Sequence, residues 1–423
     1  EQIIGFGSGL FFWLYWVLEI PSSISVHRRG AKWVFFRILV LWGGCAMLMG
    51  FLGMPLLQTL LGWLPHLPEP PVLSELDARA WATSLAWHWN RLGTNPESQF
   101  YFMRLALGFF EGGFFPTVVM YLSIWFKAEH RAKAMASFMA AMPLSNALGV
   151  PFSQWISDHI HWGGLAGWRW IFILEGVAPM LAGIGVLFCL PDRPQTAPWL
   201  PDNERQWLLA ELDDEHRSRS ASERGQWRKH VGLVALLTIV YFCQNVFIYG
   251  VVFFMPSIVK SLVGTSSTLS TWITALVFFM AFLGMQFNGW HSDRKHERFW
   301  HVAVPMIGVG VGFLVASSFY QTPYVAAVVL ITLIGVCLYA HLPAFWPIPT
   351  MFLGSIAAAS AIGFINMIGN LGGSIGPVII GDAAKNKDFA TGLWRIAAFP
   401  FICATVILVV RMLRRKRSPS AAE

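Results

Sequence analysis

The chain is patterned as long apolar runs separated by short polar or charged connections. The runs cover approximately residues 3–26, 34–62, 100–126, 134–156, 168–190, 231–259, 270–290, 302–320, 323–352, 357–380 and 393–412. Their lengths are close to or above the roughly 20 residues that a helix needs to cross a bilayer. A membrane β-barrel would instead show weaker, alternating segments of about ten residues. The pattern therefore predicts an all-α integral membrane protein with eleven spans.

Composition agrees with this class. Of 423 residues, 55% are hydrophobic and only 13% are charged, against roughly 25% charged residues in ordinary soluble domains. Each of the five cysteines lies in a different apolar run, without paired or metal-type spacing: Cys45, Cys189, Cys243, Cys337 and Cys403. We therefore expect no disulfide framework, no metal site and no cofactor.

The positive charge is distributed unevenly between alternate connections. The net charge is +7, and 22 of the 30 Lys and Arg residues fall in connections that share one side of the membrane if every run is a span. The positive-inside rule places that side, and the C-terminus, in the cytoplasm. The basic charge thus indicates orientation, and no nucleic-acid partner is expected. The basic tail at 411–417 also has the composition that attracts anionic lipid.

One apolar run, Phe100 to Phe126, contains two charged residues, Arg104 and Glu111. Seven residues are two helical turns, so both side chains lie on one helix face, roughly 10 Å apart along the axis. Charged groups at membrane depth usually face the bundle interior or a wet cavity. We predict that Arg104 binds an anionic substrate and that Glu111 carries a coupling proton. The alternatives are that Arg104 snorkels to the surface and that Glu111 is held in a structural pair.

Several polar residues within other runs are candidates for substrate binding. Tyr15 is predicted to face the cavity, and Asn366 and Asn370 share one helix face at i and i+4, beside glycines at 372, 373 and 376 that allow close helix approach. Asn146 and Gln244 are further candidates. Interhelical hydrogen bonding alone explains the amides equally well. We interpret His341 and Glu175 as structural residues.

Charged residues at the ends of two runs are candidates for a cytoplasmic gate. Glu19 precedes the basic connection that contains Arg28 and Arg29, and we predict that it pairs with arginines there. In a second basic connection, Asp293 and Arg294 stand at a helix end and are predicted to face the other half of the protein.

The order of the runs predicts two halves. We assign 1–190 to an N-terminal bundle with an extracytoplasmic insertion at 63–99, 191–230 to a central cytoplasmic loop, 231–412 to a C-terminal six-helix bundle and 413–423 to a basic tail. If the two basic connections mark equivalent points of an internal repeat, the run 231–259 has no counterpart before Ile3. The pattern therefore predicts that about one span is absent before Glu1.

Eight stretches resemble the major facilitator superfamily, and within it the anion:cation symporter family. They are YWVLEIPSSISVHRRGAKW (15–33), RLALGFFEGGFFPTVVMYLSIWF (104–126), EHRAKAMA (129–136), GWRWIFILEG (167–176), WLPDNERQWLLAEL (199–212), YFCQNVFIYGVVFFMPSIVK (241–260), GWHSDRKHER (289–298) and INMIGNLGGSIGP (365–377). They follow the family order over nearly the whole chain. His27 and Ser23 depart from the Asp and Gly that superfamily members more often carry. The inferred absent helix is where bacterial family members usually carry an Asp-Arg pair.

The resemblance implies a function in transport. Family members have two six-helix bundles and move a small organic anion, such as a sugar acid, tartrate or an aromatic acid, together with protons by alternating access. It also points to Arg104 as a substrate residue. We accordingly expect a proton-coupled symporter in a bacterial inner membrane, working as a monomer in the lipid bilayer.

Two other classes of function are alternatives to transport. A membrane-embedded enzyme should cluster catalytic or metal-binding side chains near one surface, whereas the 12 histidines are scattered along the chain. A sensor or receptor derived from a transporter should carry a soluble output domain, and no stretch has that composition. The sequence favours a transporter that is not an enzyme.

Overall fold

Helices form the regular structure of the computed structural model, which describes residues 2–67, 86–220, 230–318, 323–353, 355–386 and 388–417. No strand occurs in these ranges. The predicted all-α fold is therefore confirmed. Parts of the predicted insertion, central loop and basic tail (68–85, 221–229 and 418–423) lie outside the described residues.

Helices before the central loop are α1 (Gln2–Tyr15), α2 (Glu19–Arg29), α3 (Ala31–Met49), α4 (Pro55–Gly62), α5 (Pro96–Glu111), α6 (Phe114–Trp125), α7 (Ala128–His159) and α8 (Gly167–Cys189). Those that follow are α9 (Asp202–Ser220), α10 (Val231–Val252), α11 (Met255–Val263), α12 (Ser267–Lys295), α13 (Phe299–Ser318), α14 (Tyr324–Leu338), α15 (Leu342–Phe345), α16 (Ser355–Asn370), α17 (Ile375–Lys385), α18 (Phe389–Ile396) and α19 (Ala398–Arg417).

Ten helical segments within the described residues are long and apolar enough to cross a membrane, and a shorter apolar segment covers Ile3–Leu18. Together they match the eleven apolar runs. The predicted continuous run 34–62 is wrong in one respect, because α3 ends at Met49 and α4 is a separate short helix. Gly53 has a φ of 74° and Pro55 stands at the start of α4, so the backbone turns there although hydropathy stays high.

The described chain forms two compact units. The smaller unit comprises Leu10–Phe114 and Trp155–Leu190, and the larger comprises Glu1–Gly9, Phe115–Gln154 and Pro191–Glu423. In the smaller unit α3 packs along α8. In the larger unit α10 packs against α16, α17 and α19. The bundle boundaries predicted from the sequence stay a prediction.

Close backbone contact fixes the α3–α8 pair. A Cβ atom at Gly43 would lie 2.5 Å from the carbonyl oxygen of Gly176. Beyond the end of α3, Arg169 Nη1 donates to the carbonyl oxygens of Gly50 and Leu52, at 2.8 Å and 2.9 Å. Arg169 therefore stabilises the polar end of an apolar helix by satisfying backbone acceptors that have no helical partner.

Candidate functional site

Arg104 and Glu111 both lie on α5, in the smaller unit, and both are partly buried. The two side chains interact electrostatically. The guanidinium carbon of Arg104 lies 5.4 Å from the ring centroid of Phe11 on α1. Such a contact with an aromatic ring is favourable for a cation. The helix thus carries a cation and an acid together within one membrane-spanning segment.

A glycine pair brings α5 into backbone contact with α1. A Cβ atom at Gly108 would overlap the carbonyl oxygen of Phe11, and one at Gly112 would overlap that of Tyr15. The spacing G-x-x-x-G places both glycines on one face, and such pairs let membrane helices approach closely. This role was not predicted, although the sequence GFFEG carries the signal. Arg104, one turn before Gly108, is thereby positioned over Phe11.

The segment that carries the charged pair is not one continuous helix. After Glu111 the backbone leaves the helical conformation at Gly112, with a ψ of 128°, and Gly113 has a φ of 92°. Glycine adopts this left-handed conformation without the steric cost of a Cβ atom. Glu111 is therefore the last residue of α5, at a break within the span Pro96–Trp125. Broken helices within membranes often lie where a binding site is formed.

We expect Gly108→Ala to destabilise the protein by about 1–3 kcal/mol, as overpacking of a well-packed contact typically does. The added methyl group must push α5 away from α1. Thermal unfolding in detergent measures the effect. Gly185→Ala is the matched control, because nothing lies within 4 Å of a Cβ atom there. Equal melting temperatures for the two variants would contradict this packing role.

Tyr15 is buried and belongs to the same aromatic cluster as Phe11. The ring centroids of the two residues are 5.5 Å apart. The structure therefore brings together two of the predicted site residues, Tyr15 and Arg104, through Phe11. Glu19 is 3% exposed at the start of α2, whereas Arg28 and Arg29 are exposed at its end. Their gate roles stay predictions.

Two of the predicted amides of the larger unit, Gln244 and Asn370, are buried in hydrogen-bonded pairs. Gln244 Oε1 lies 2.5 Å from Nε2 of His341, and Asn245 Nδ2 donates to Asn370 Oδ1 at 3.1 Å. Asn366 is also buried. His341 is fully buried, and Gln244 is its specific partner. This contact fits the interpretation of His341 as a structural residue.

Glycines again set the helix spacing around these amides. A Cβ atom at Gly372 would overlap the carbonyl oxygen of Phe242, and one at Gly376 would overlap that of Val246. The predicted close helix approach at these two glycines is confirmed. The Asn245–Asn370 bond joins α10 and α16, so it fits the interhelical alternative for Asn370.

Asn146 takes part in neither of these hydrogen-bonded pairs in the part of the chain that the structure describes. It is partly buried on α7, and its Nδ2 donates to the carbonyl oxygen of Met142, 2.9 Å away in the same helix. Its role in substrate binding stays a prediction.

An aromatic cluster in the larger unit was not anticipated. The ring of Trp346 lies 4.9 Å from that of Tyr241 and 5.4 Å from that of Phe115, and Tyr241 stacks on Phe345 at 5.9 Å. Trp346 follows α15 in the proline-rich stretch LPAFWPIP, where hydropathy alone suggests a continuous helix. The short α15 and the turns around it place these rings together.

The second predicted gate connection contains a local ion pair. Asp293 Oδ1 lies 2.5 Å from Nη1 of Arg298, and the guanidinium carbon of Arg294 lies 5.4 Å from the Trp290 ring. Asp293 and Arg294 are both exposed at the end of α12. Their described partners come from the same connection, and the gate role of both residues stays a prediction.

A chain of hydrogen bonds next to this pair joins α12 to α13. Glu297 accepts from the backbone N–H groups of Phe299 and Trp300, at 3.0 Å and 2.9 Å. Its Oε2 lies 3.1 Å from Nδ1 of His301, whose Nε2 lies 2.7 Å from Nδ1 of His291. Glu297 thus stabilises the start of α13 by satisfying its free donors. The contact between these two histidines, ten residues apart, was not predicted from the sequence.

Relatives named as transporters match nearly the whole of this chain. A protein of Agrobacterium vitis named "Putative tartrate transporter" is 32% identical, over 100% of this chain and 84% of its own length. "Inner membrane transport protein RhmT" of Escherichia coli is 29% identical, over 98% of this chain and 86% of its own.

Solved structures share the fold. The crystal structure of a D-xylose-proton symporter aligns with a TM-score of 0.68 at 17% identity, covering 96% of this chain and 87% of that one. The family model described as Major Facilitator Superfamily matches residues 80–377. These residues are most of the chain and include α5, the larger unit's amides and the second basic connection. The chain therefore belongs to the Major Facilitator Superfamily, as the resemblance of its sequence motifs suggested.

Proposed function

We propose that this protein is a proton-coupled symporter that moves a small organic anion across the membrane by alternating access. The observation that carries the proposal is Arg104, a partly buried arginine within a membrane-spanning segment, with Glu111 on the same helix. A guanidinium stays charged under all relevant conditions and binds a carboxylate through two parallel hydrogen bonds. An anion that docks on Arg104 would offset part of the cost of holding a charge at membrane depth.

Two opposing effects act on the protonation of Glu111, and they explain how proton binding is coupled to substrate binding. Removal from water favours a protonated carboxyl group, whereas a neighbouring guanidinium favours the carboxylate. A substrate carboxylate on Arg104 adds negative charge near Glu111 and weakens the influence of the guanidinium. Proton binding and substrate binding then assist each other, and this assistance is reciprocal.

A hydroxylated carboxylate is the substrate class that we favour, since two relatives named for tartrate transport match 100% and 97% of this chain. Tyr15 contacts Phe11, the ring that Arg104 also contacts, and is a candidate for substrate contact. The buried amides Gln244, Asn366 and Asn370 suit hydroxyl or carboxylate oxygens, and we retain them as candidates.

The test is uptake by the purified protein in proteoliposomes. With an inwardly directed proton gradient, we expect accumulation of radiolabelled tartrate or of another acid in a panel that includes a sugar acid and an aromatic acid. A pH-sensitive dye inside the vesicles should report proton entry with the anion, and a protonophore should remove accumulation. Accumulation driven by a sodium gradient without proton entry would contradict proton coupling. Failure to bind or move any acid of the panel would contradict the anion assignment.

A further inference from the structure

A cavity of 330 Å³ lies between α2 and α3 in the smaller unit. Its lining includes Ser25 and Arg29 of α2, and Trp33, Arg37, Val40 and Leu41 of α3. Arg104 and Glu111 do not line it. Basic and apolar side chains both line the cavity, and this combination indicates what it can bind.

Two arginines are the basic residues of the lining. Arg29 is exposed at the end of α2, and Arg37 is partly buried with its Nη2 donating to Ser22 Oγ at 2.8 Å. The guanidiniums are close enough for Arg29 to act electrostatically on Arg37. Among the ion pairs formed by the described residues, neither arginine has a carboxylate partner. An anion bound to both would replace repulsion between them with attraction.

Apolar side chains of α3 make up most of the rest of the lining. Trp33 is 52% exposed and Leu41 is 39% exposed on α3, a membrane-spanning helix, so lipid can reach both side chains. Eight residues separate them, which is about 12 Å along the helix axis. Trp33 lies near the start of α3, where an indole ring suits the headgroup level of a bilayer. Leu41 and Val40 lie deeper in the span, at the depth of the acyl chains.

We propose that this cavity binds an anionic phospholipid, with its phosphate on Arg29 and Arg37, its headgroup region against Trp33 and an acyl chain along Val40 and Leu41. Basic pockets between membrane helices are suited to such headgroups. A free phosphate or a small organic anion would use only the two guanidiniums and leave the apolar lining residues uncovered. A zwitterionic lipid would bring its own cation close to the two guanidiniums. The proposal does not rest on the proposed transport function.

Native mass spectrometry of the delipidated full chain in detergent tests the proposal. Phosphatidylglycerol and phosphatidylcholine are titrated separately onto wild type, Arg29→Gln, Arg37→Gln and the double variant. We expect preference for phosphatidylglycerol in wild type, with binding weakened about fivefold by each substitution and about thirtyfold by both. Arg28→Gln is the matched control, since this exposed arginine of the same connection does not line the cavity. It should retain wild-type binding.

Three results would overturn the proposal. They are unchanged phosphatidylglycerol binding by the double variant, equal binding of phosphatidylcholine by wild type, and displacement of the lipid by millimolar inorganic phosphate. The Arg29→Gln protein keeps the Arg37–Ser22 hydrogen bond, so it tests the site even where Arg37→Gln folds poorly. In that variant, phosphatidylglycerol should also raise the melting temperature less than in wild type.

Discussion

Replacing Arg104 with alanine is expected to abolish binding of the organic anion. Truncating one partner of a buried charge pair typically costs about 2–5 kcal/mol, which is roughly a thirtyfold to several-thousandfold loss of affinity. Arg104→Lys should restore binding only poorly. An ammonium keeps the charge but lacks the planar group that forms two parallel hydrogen bonds with a carboxylate.

Equilibrium binding of radiolabelled tartrate to the purified variants measures this effect. Arg91→Ala is a suitable control, because the Arg91 guanidinium lies 4.0 Å from the Trp87 ring, outside the membrane-spanning segments. It removes an arginine that contacts an aromatic ring, as Arg104 does. Undiminished tartrate binding by Arg104→Ala, with full binding by wild type, would refute the assignment of Arg104.

Replacing Glu111 with glutamine is expected to abolish uptake driven by a proton gradient while leaving exchange of substrate between equal pools largely intact. Glutamine has nearly the shape of the protonated acid but can neither release nor accept the coupling proton. The neutral side chain also leaves Arg104 free of competition from a carboxylate. Binding of the anion should therefore persist, in contrast to the Arg104 variants.

Paired assays in the same proteoliposomes separate the two activities. Gradient-driven accumulation reports coupling, and counterflow of labelled substrate reports exchange. Glu97→Gln is the matched control, since Glu97 lies in the first turn of the same helix and accepts a hydrogen bond from Tyr101 at 2.7 Å. It should retain both activities. Normal gradient-driven accumulation by Glu111→Gln would show that another group carries the proton.

Sequence pattern was sufficient for the membrane fold, and the reason is the bilayer itself. A span must be long, apolar and internally hydrogen-bonded, so these requirements are written into consecutive residues. Helical periodicity is also a local property, and it predicted that Arg104 and Glu111 lie together on one helix, because seven residues are two turns. Helix ends inside apolar runs were harder to predict from hydropathy. The breaks at Gly53 and at Gly112–Gly113 depend on backbone conformation, to which hydropathy is insensitive.

Contacts between distant segments were decided only by the tertiary structure. Gln244 and His341 are 97 residues apart, and Asn245 and Asn370 are 125 apart, so no helical period relates them. The spacing of Gly108 and Gly112 specifies a helix face that tolerates close contact, but only packing selects α1 as the partner. Likewise, the sequence alone determined that Arg29 and Arg37 are basic residues near a membrane surface. Only the packing of α2 on α3 placed them around one cavity, because a cavity is a property of the surfaces that meet and of no single segment.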